Sequence, residues 1–257
     1  MLMITGKKFS LIVFVILVFG CDEKAFNPAT SKGPDFSLTP MENEEAELAA
    51  LHLSGEIMAP IGLYQRIRSD LAIIRENWSD HNEHVNIKFD PFWEVSVIGV
   101  DLTSTTYYEI ESGNYHNWDS ISVHTALDSI HYFGCANFCI AKLVFKGRLN
   151  PILLVDEYSG LPGFNIISTY SKPMDRSNLY LQKNGNVIKY FFRYAYGECP
   201  AGCLNSEIYY FTVESGEPVY RGSLYLPVLP DSTIPVWADT YTFAYRDYIA
   251  HNCWPCQ

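Results

Sequence analysis

Lys142–Ile167, KLVFKGRLNPILLVDEYSGLPGFNII, carries the clearest succession of structural signals in this 257-residue chain. Leu143, Val144 and Phe145, set between two lysines, predict a strand. Asn150-Pro151 reads as an N-cap followed by proline at the first helical position, where the missing N–H costs nothing. Ile152 to Tyr158 then forms a short helix, and Gly160-Leu-Pro-Gly163 ends it. Phe164 to Ile167 resumes as a strand. A strand, a helix and a second strand within 26 residues predict a βαβ crossover, right-handed by the usual rule.

On the N-terminal side, residues 43–57 run from acidic to apolar (Glu44, Glu45, Leu48, Leu51) and predict a helix, with Thr39 and Pro40 just ahead of it. A second helix starts near Pro60. Tyr64, Ile67, Leu71, Ile74 and Trp78 recur at steps of three and four, while Arg66, Arg68, Asp70, Arg75 and Glu76 take the other faces. From Val85 the period changes to two, and Pro91 and Asp101 bracket a strand. Asp119 or Ser120 would cap a helix over Ile121 to Ile130.

On the C-terminal side, Leu179–Gln182 and Val187–Tyr196 flank Asn184-Gly185, a strong hairpin signal. Ile208–Val213 and Val219–Leu226 follow around Gly216. Prolines 227, 230, 235 and 255 predict an irregular wrap from Pro227 onward, with a last strand at Tyr241 to Tyr245. The expected fold is α+β: two N-terminal helices packed on a mainly antiparallel sheet, with one βαβ (ferredoxin-like) crossover and disulfide-clamped connections. Residues 43–257 form a single globular domain. Asn150–Ile167, with its Leu-Pro-Gly-Phe exit, resembles the corresponding unit of subtilisin-type propeptides and related ferredoxin-like inhibitors, which would imply protease inhibition or chaperoning.

Residues 1–20 hold Lys7, Lys8, an apolar run from Leu11 to Phe19 and no acidic residue, the layout of a signal peptide. That run is shorter than the roughly 20 residues a spanning helix needs. Val18-Phe19-Gly20-Cys21 resembles the bacterial lipobox, which implies cleavage before Cys21 and its acylation; the other reading is a conventional cleavage near Gly20. Residues 21–42 follow as the lipidated cysteine and a flexible tether rich in breaker residues. The expected address is the bacterial cell envelope, with the membrane reached through the lipid anchor.

Without residues 1–20 the chain keeps 16 lysines and arginines against 29 acids, a net charge of −13. Phosphate backbones repel such a surface, and with no basic run nucleic acid is excluded as a partner. A diffuse acidic surface serves solubility, or a site for cations or basic peptides. An envelope protein or polymer is the remaining partner class.

Six cysteines beyond Cys21 come as close pairs: Cys135 with Cys139, Cys199 with Cys203, Cys253 with Cys256. An exported chain favours disulfides, with fifteen connectivities open for six cysteines. A thiolate zinc site from the two Cys-x3-Cys pairs competes with that reading. So does dithiol chemistry at Cys253-Trp-Pro-Cys256, although no helix follows there to stabilise a thiolate. Gly197-Glu-Cys-Pro-Ala-Gly-Cys203 resembles a motif of uncharacterised bacterial lipoproteins.

His116, Trp118 and Asp119 are the candidate pocket residues, in a stretch dense in polar and aromatic groups. His81 and His84 stand three apart, as two metal ligands on a helix would, or as a solvated turn. Ser122, His124 and Asp128 supply triad residue types without nucleophile-elbow glycines. No phosphate loop, His-Glu-x-x-His or dinucleotide fingerprint is present, so no catalytic residue, metal or cofactor is assigned. A non-catalytic binding or structural module is the leading expectation, followed by the propeptide-like inhibitor and by an envelope enzyme acting on cell-surface polymers or thiols.

Overall fold

The computed structural model describes residues 41–79, 82–135, 139–171, 176–197, 203–228 and 233–252. Helix α1 (Glu44–Ser54) is capped by Asn43, whose side chain accepts from Ala46 N, and it ends at left-handed Gly55. Glu44, Glu45 and Glu47 fill its first turn, where the helix dipole favours negative charge. Helix α2 (Ile61–Asn77) follows Pro60 and buries Tyr64, Ile67, Leu71 and Ile74 along the expected stripe, with Asp70 among them. A single turn, α3 (Asn82–Val85), leads to strand β1 (Trp93–Leu102).

Beyond β1 the chain forms α4 (Ser104–Glu111), α5 (Asp119–Thr125), β2 (Leu127–Cys135), β3 (Cys139–Phe145), α6 (Pro151–Ser159) and β4 (Phe164–Ser171). Their sheet has the order β2-β3-β1-β4. Both β3 and β4 run antiparallel to β1, so they are parallel to each other with β1 between them. The anticipated strand–helix–strand unit thus forms, Asn150 capping α6 through Ile152 N, but its two strands are not neighbours. This chain path is the split βαβ arrangement.

The remaining strands, β5 (Asn178–Asn184), β6 (Val187–Tyr196), β7 (Asn205–Glu214) and β8 (Glu217–Leu226), make a second, antiparallel sheet in sequential order, followed by helix α7 (Ala238–Asn252). Two four-stranded sheets therefore replace the single sheet expected to carry both N-terminal helices. The reason lies in the side chains of β5–β8. Leu179, Tyr190, Phe192 and Phe211 are buried on one face, and Tyr180, Phe191 and Tyr210 on the other. A sheet with aromatic residues on both faces needs cover on both. Helices α1 and α2 lie against β5, β7 and β8, while Tyr241 and Tyr245 of α7 pack on Tyr180, on the opposite face.

Two local expectations are corrected, and one helix is added. Tyr241–Tyr245 lies in α7, not in a strand: Tyr241 and Ala244 are buried one turn apart. The helix expected over residues 121–130 stops at Thr125, because Ala126 turns left-handed and β2 begins at once. Helix α4 was not anticipated, since its Thr and Tyr residues favour strands; the Thr103 side chain, accepting from Thr106 N, starts it.

Two cores result, and β1 contributes to both. Trp93 belongs to the core of α1, α2 and β5–β8, whereas Ile98, Val100 and Leu102 belong to that of β1–β4. The change of side occurs at Ser96, which has φ +59° and lies where the β1–β4 register shifts. Its hydroxyl donates to Gly147 O (2.7 Å) and accepts from Leu149 N (2.8 Å).

In the first of these cores Tyr190 OH donates to Asp70 Oδ2 at 2.7 Å. Burial pushes the Asp70 carboxyl above its ordinary value; the Tyr190 hydrogen bond and the nearby Arg66 oppose the rise. A carboxyl that holds its proton more tightly when folded stabilises most below its unfolded pKa of about 3.9. That contribution is lost as pH rises through the folded value. Urea unfolding across a pH series should therefore show a fall in stability above about pH 4 that Asp70→Asn abolishes; an unchanged slope in the variant would refute the assignment.

Candidate functional site

The expected site residues separate in space. Trp118 turns inward, its ring 5.5 Å from Tyr115 and 6.3 Å from Phe164. His116 and Asp119 stay on the surface with side chains 73% and 62% exposed, in mutual contact at 3.0 Å. Ser122 Oγ contacts Tyr158 OH at 3.3 Å in the β1–β4 core, and Asp128 lies at the start of β2. The side chain of His124 lies outside the described residues, as do His81, Cys21, Cys199, Cys253 and Cys256.

Cys135 and Cys139 face each other across the β2–β3 hairpin and are joined as a disulfide. Cys203 is disulfide-bonded as well. These three cysteines are thus held as disulfides, not as the thiolates a zinc site needs. Among the described residues no three His, Cys, Asp or Glu side chains converge on a common metal position, and no described helix is long and apolar enough to cross a membrane.

The best-organised polar cluster lies elsewhere, at one end of the β5–β8 sheet. Pairing places Tyr194 of β6, Glu207 of β7 and Tyr225 of β8 in one row across three strands. Side chains two apart share a face, so Tyr196 and Tyr209 flank this row. Tyr209 OH donates to Glu207 Oε1 at 2.5 Å, and Tyr225 OH donates to the same carboxylate. From α3, His84 Nε2 reaches Glu207 Oε2 at 3.5 Å. The imidazole ring packs between Tyr209 (4.7 Å) and Tyr194 (5.1 Å), and Tyr194 meets Tyr196 at 5.7 Å. Beyond Tyr209 the aromatic band continues through Tyr220 to Trp78.

Exposure divides the cluster. Glu207 is buried, while Tyr196 and Tyr225 are 40% and 55% exposed, with Leu204 beside them at 62%. The carboxylate hydrogen bond holds the Tyr225 hydroxyl above its ordinary pKa, with burial adding to the effect. For Tyr209 burial is the first cause and Glu207 the second. Both phenols stay protonated donors, each with oxygen lone pairs left to accept. His84 Nδ1 is buried with no hydrogen-bond partner. The arrangement is a mostly buried carboxylate framed by aromatic rings, of which Tyr196 and Tyr225 are exposed.

Of this cluster the sequence reading singled out only His84. The tyrosines are visible as alternating residues, but their meeting with Glu207 depends on a β-bulge. In the β7–β8 hairpin, Phe211 pairs with Tyr220 while Tyr210 pairs with Gly222, leaving Arg221 as the extra residue. A one-residue slip exchanges the faces of a strand. Without it Leu224, not Tyr225, would stand beside Glu207. Gly222 permits the bulge with φ +128°, and a Cβ there would approach Trp237 Nε1 to 3.2 Å.

Comparisons with protein-family models, with curated proteins and with solved structures find no match to this chain.

Proposed function

We propose that this chain is a bacterial envelope lipoprotein, exported by residues 1–20, acylated on Cys21 and tethered through residues 21–42, whose folded part is a non-catalytic binding module. One observation carries the binding reading: the row Tyr194–Glu207–Tyr225, exposed at Tyr225, with His84 and Tyr209 in contact with Glu207. Tyrosine rings left on a surface give large contact area at low ordering cost, and a carboxylate among them fixes orientation. The disulfides at Cys135–Cys139 and Cys203 agree with an oxidising compartment. Acylation suits the role, because a multiply acylated cysteine holds a domain firmly at a membrane surface, at about 0.8 kcal/mol per buried methylene.

The test is the intact mass and location of the full chain made in a bacterial host. A mature protein that begins at Cys21, carries acyl mass and moves to the soluble fraction in Cys21→Ser is the expected result. An unmodified N-terminus, or membrane attachment unaffected by Cys21→Ser, would overturn the lipoprotein reading.

A second reading draws on the β2-β3-β1-β4 order. Read as a ferredoxin-like unit, it supports the resemblance to protease propeptides and thus an inhibitor or chaperone. The aromatic cluster plays no part in that reading, since it lies on the other sheet.

A further inference from the structure

Resting on the binding-module reading, we infer that the Glu207 cluster takes up a cationic side chain, a guanidinium or primary ammonium, presented by a basic partner polypeptide. The charge pattern sets the sign. Glu207 is buried with a side chain 12% exposed, and among the described residues the groups that contact it are two phenols and an imidazole, with no lysine or arginine. Elsewhere the described buried glutamates have a guanidinium partner: Glu45 pairs with Arg75, and Glu47 with Arg148. Glu207 is the exception among these three.

The surrounding rings point the same way. Aromatic faces attract cations, by about 0.5–1 kcal/mol at exposed positions and about 2 when desolvated. Tyr194 and Tyr225 flank the carboxylate in the sheet register, and Tyr196 extends the aromatic surface toward solvent. A guanidinium meets both demands, because its plane stacks on phenol rings while its N–H groups reach a carboxylate. The net charge of −13 from residue 21 onward adds long-range attraction for basic polypeptides.

A short ligand separates this site from the general acidity of the chain. Butylguanidinium is titrated into the folded protein while tyrosine ring resonances are followed by NMR. Saturable shifts at Tyr194, Tyr196 and Tyr225 are expected, with the dissociation constant raised at least fivefold by Glu207→Gln and by Tyr225→Ala. Glu56→Gln, an exposed acid after α1 that changes net charge equally, should leave it unaltered. Tyr225→Ala removes a half-exposed ring, so its result stands even if Glu207→Gln impairs folding. Equal weakening by Glu56→Gln, or no shift at these rings, would overturn the cationic assignment. Saturation of the same rings by neutral disaccharides but not by butylguanidinium would also overturn it, while leaving the binding module intact.

Discussion

Glu45→Ala is expected to destabilise the fold by about 3–5 kcal/mol, the range for breaking one side of a buried ion pair. Arg75 grips Glu45 with two parallel bonds, Nη1 to Oε2 at 2.8 Å and Nη2 to Oε1 at 2.7 Å. The same guanidinium donates through Nε to Val85 O (2.9 Å) and through Nη2 to Ile87 O (3.2 Å), while Phe89 N donates to Glu45 Oε1 at 3.0 Å. Glu45 thus ties α1, α2 and the segment leading into β1 at a single point. Alanine would leave Arg75, only 22% exposed, without its counter-charge and would remove the carboxylate that accepts from Phe89 N. Glu45→Gln keeps an acceptor for Phe89 and should lose roughly half as much, charged hydrogen bonds being about twice as strong as neutral ones. Urea unfolding of the three proteins measures the series. A loss below about 1 kcal/mol for alanine, the value of an exposed pair, would show that the interaction is as weak as one on the surface.

Gly163→Ala is expected to cost about 3 kcal/mol, from roughly 1–2 for a left-handed non-glycine residue and 1–3 for overpacking. Gly163 has φ +81°, and its carbonyl accepts from Thr103 N at 2.8 Å, joining the start of β4 to the cap of α4. A Cβ on it would overlap Thr106 Oγ1, approach Thr106 Cβ to 2.8 Å and lie 3.1 Å from Thr103 Oγ1. Thr106 cannot yield readily, being buried and bonded to Thr103 Oγ1 at 2.9 Å. Combining Gly163→Ala with Thr106→Ala removes the overlap and leaves the backbone strain, so part of the loss should return. Gly160→Ala, three residues earlier, meets nothing within 4 Å and serves as the neutral control. Midpoints of thermal unfolding rank the variants; equal midpoints for Gly160→Ala and Gly163→Ala would refute the steric account.

Signals confined to a few neighbouring residues were legible in the sequence. The α2 stripe, the Asn150-Pro151 start of α6 and the Asn184-Gly185 turn between β5 and β6 all lie where spacing and capping put them. What escaped depended on distant partners. Nothing local says that β3 and β4 take β1 between them, or that the strands divide into two sheets. Helix α7 reads as strand because Tyr241, Phe243 and Tyr245 alternate. It is helical because Tyr241, Ala244 and Tyr245 turn together toward Tyr180 and Phe191. The Glu207 cluster was hidden further, since a single extra residue at Arg221 decides which face of β8 Tyr225 occupies.

The sharing of β1 between two cores also bears on the order of assembly. The core that holds Trp93 is built from residues 46–93 and 179–244, with the whole β1–β4 unit lying between them in the chain. Closing a connection of that length as free coil would be slow, because the entropy must be spent before any contact returns it. The intervening unit shortens the path by its own pairing, since Trp93 at its entrance stands opposite Ser171 at its exit. Once β1 and β4 are zipped, the two distant segments meet as though joined by a tight turn. The β1–β4 unit is thus a clasp that brings together the two segments of the larger aromatic core.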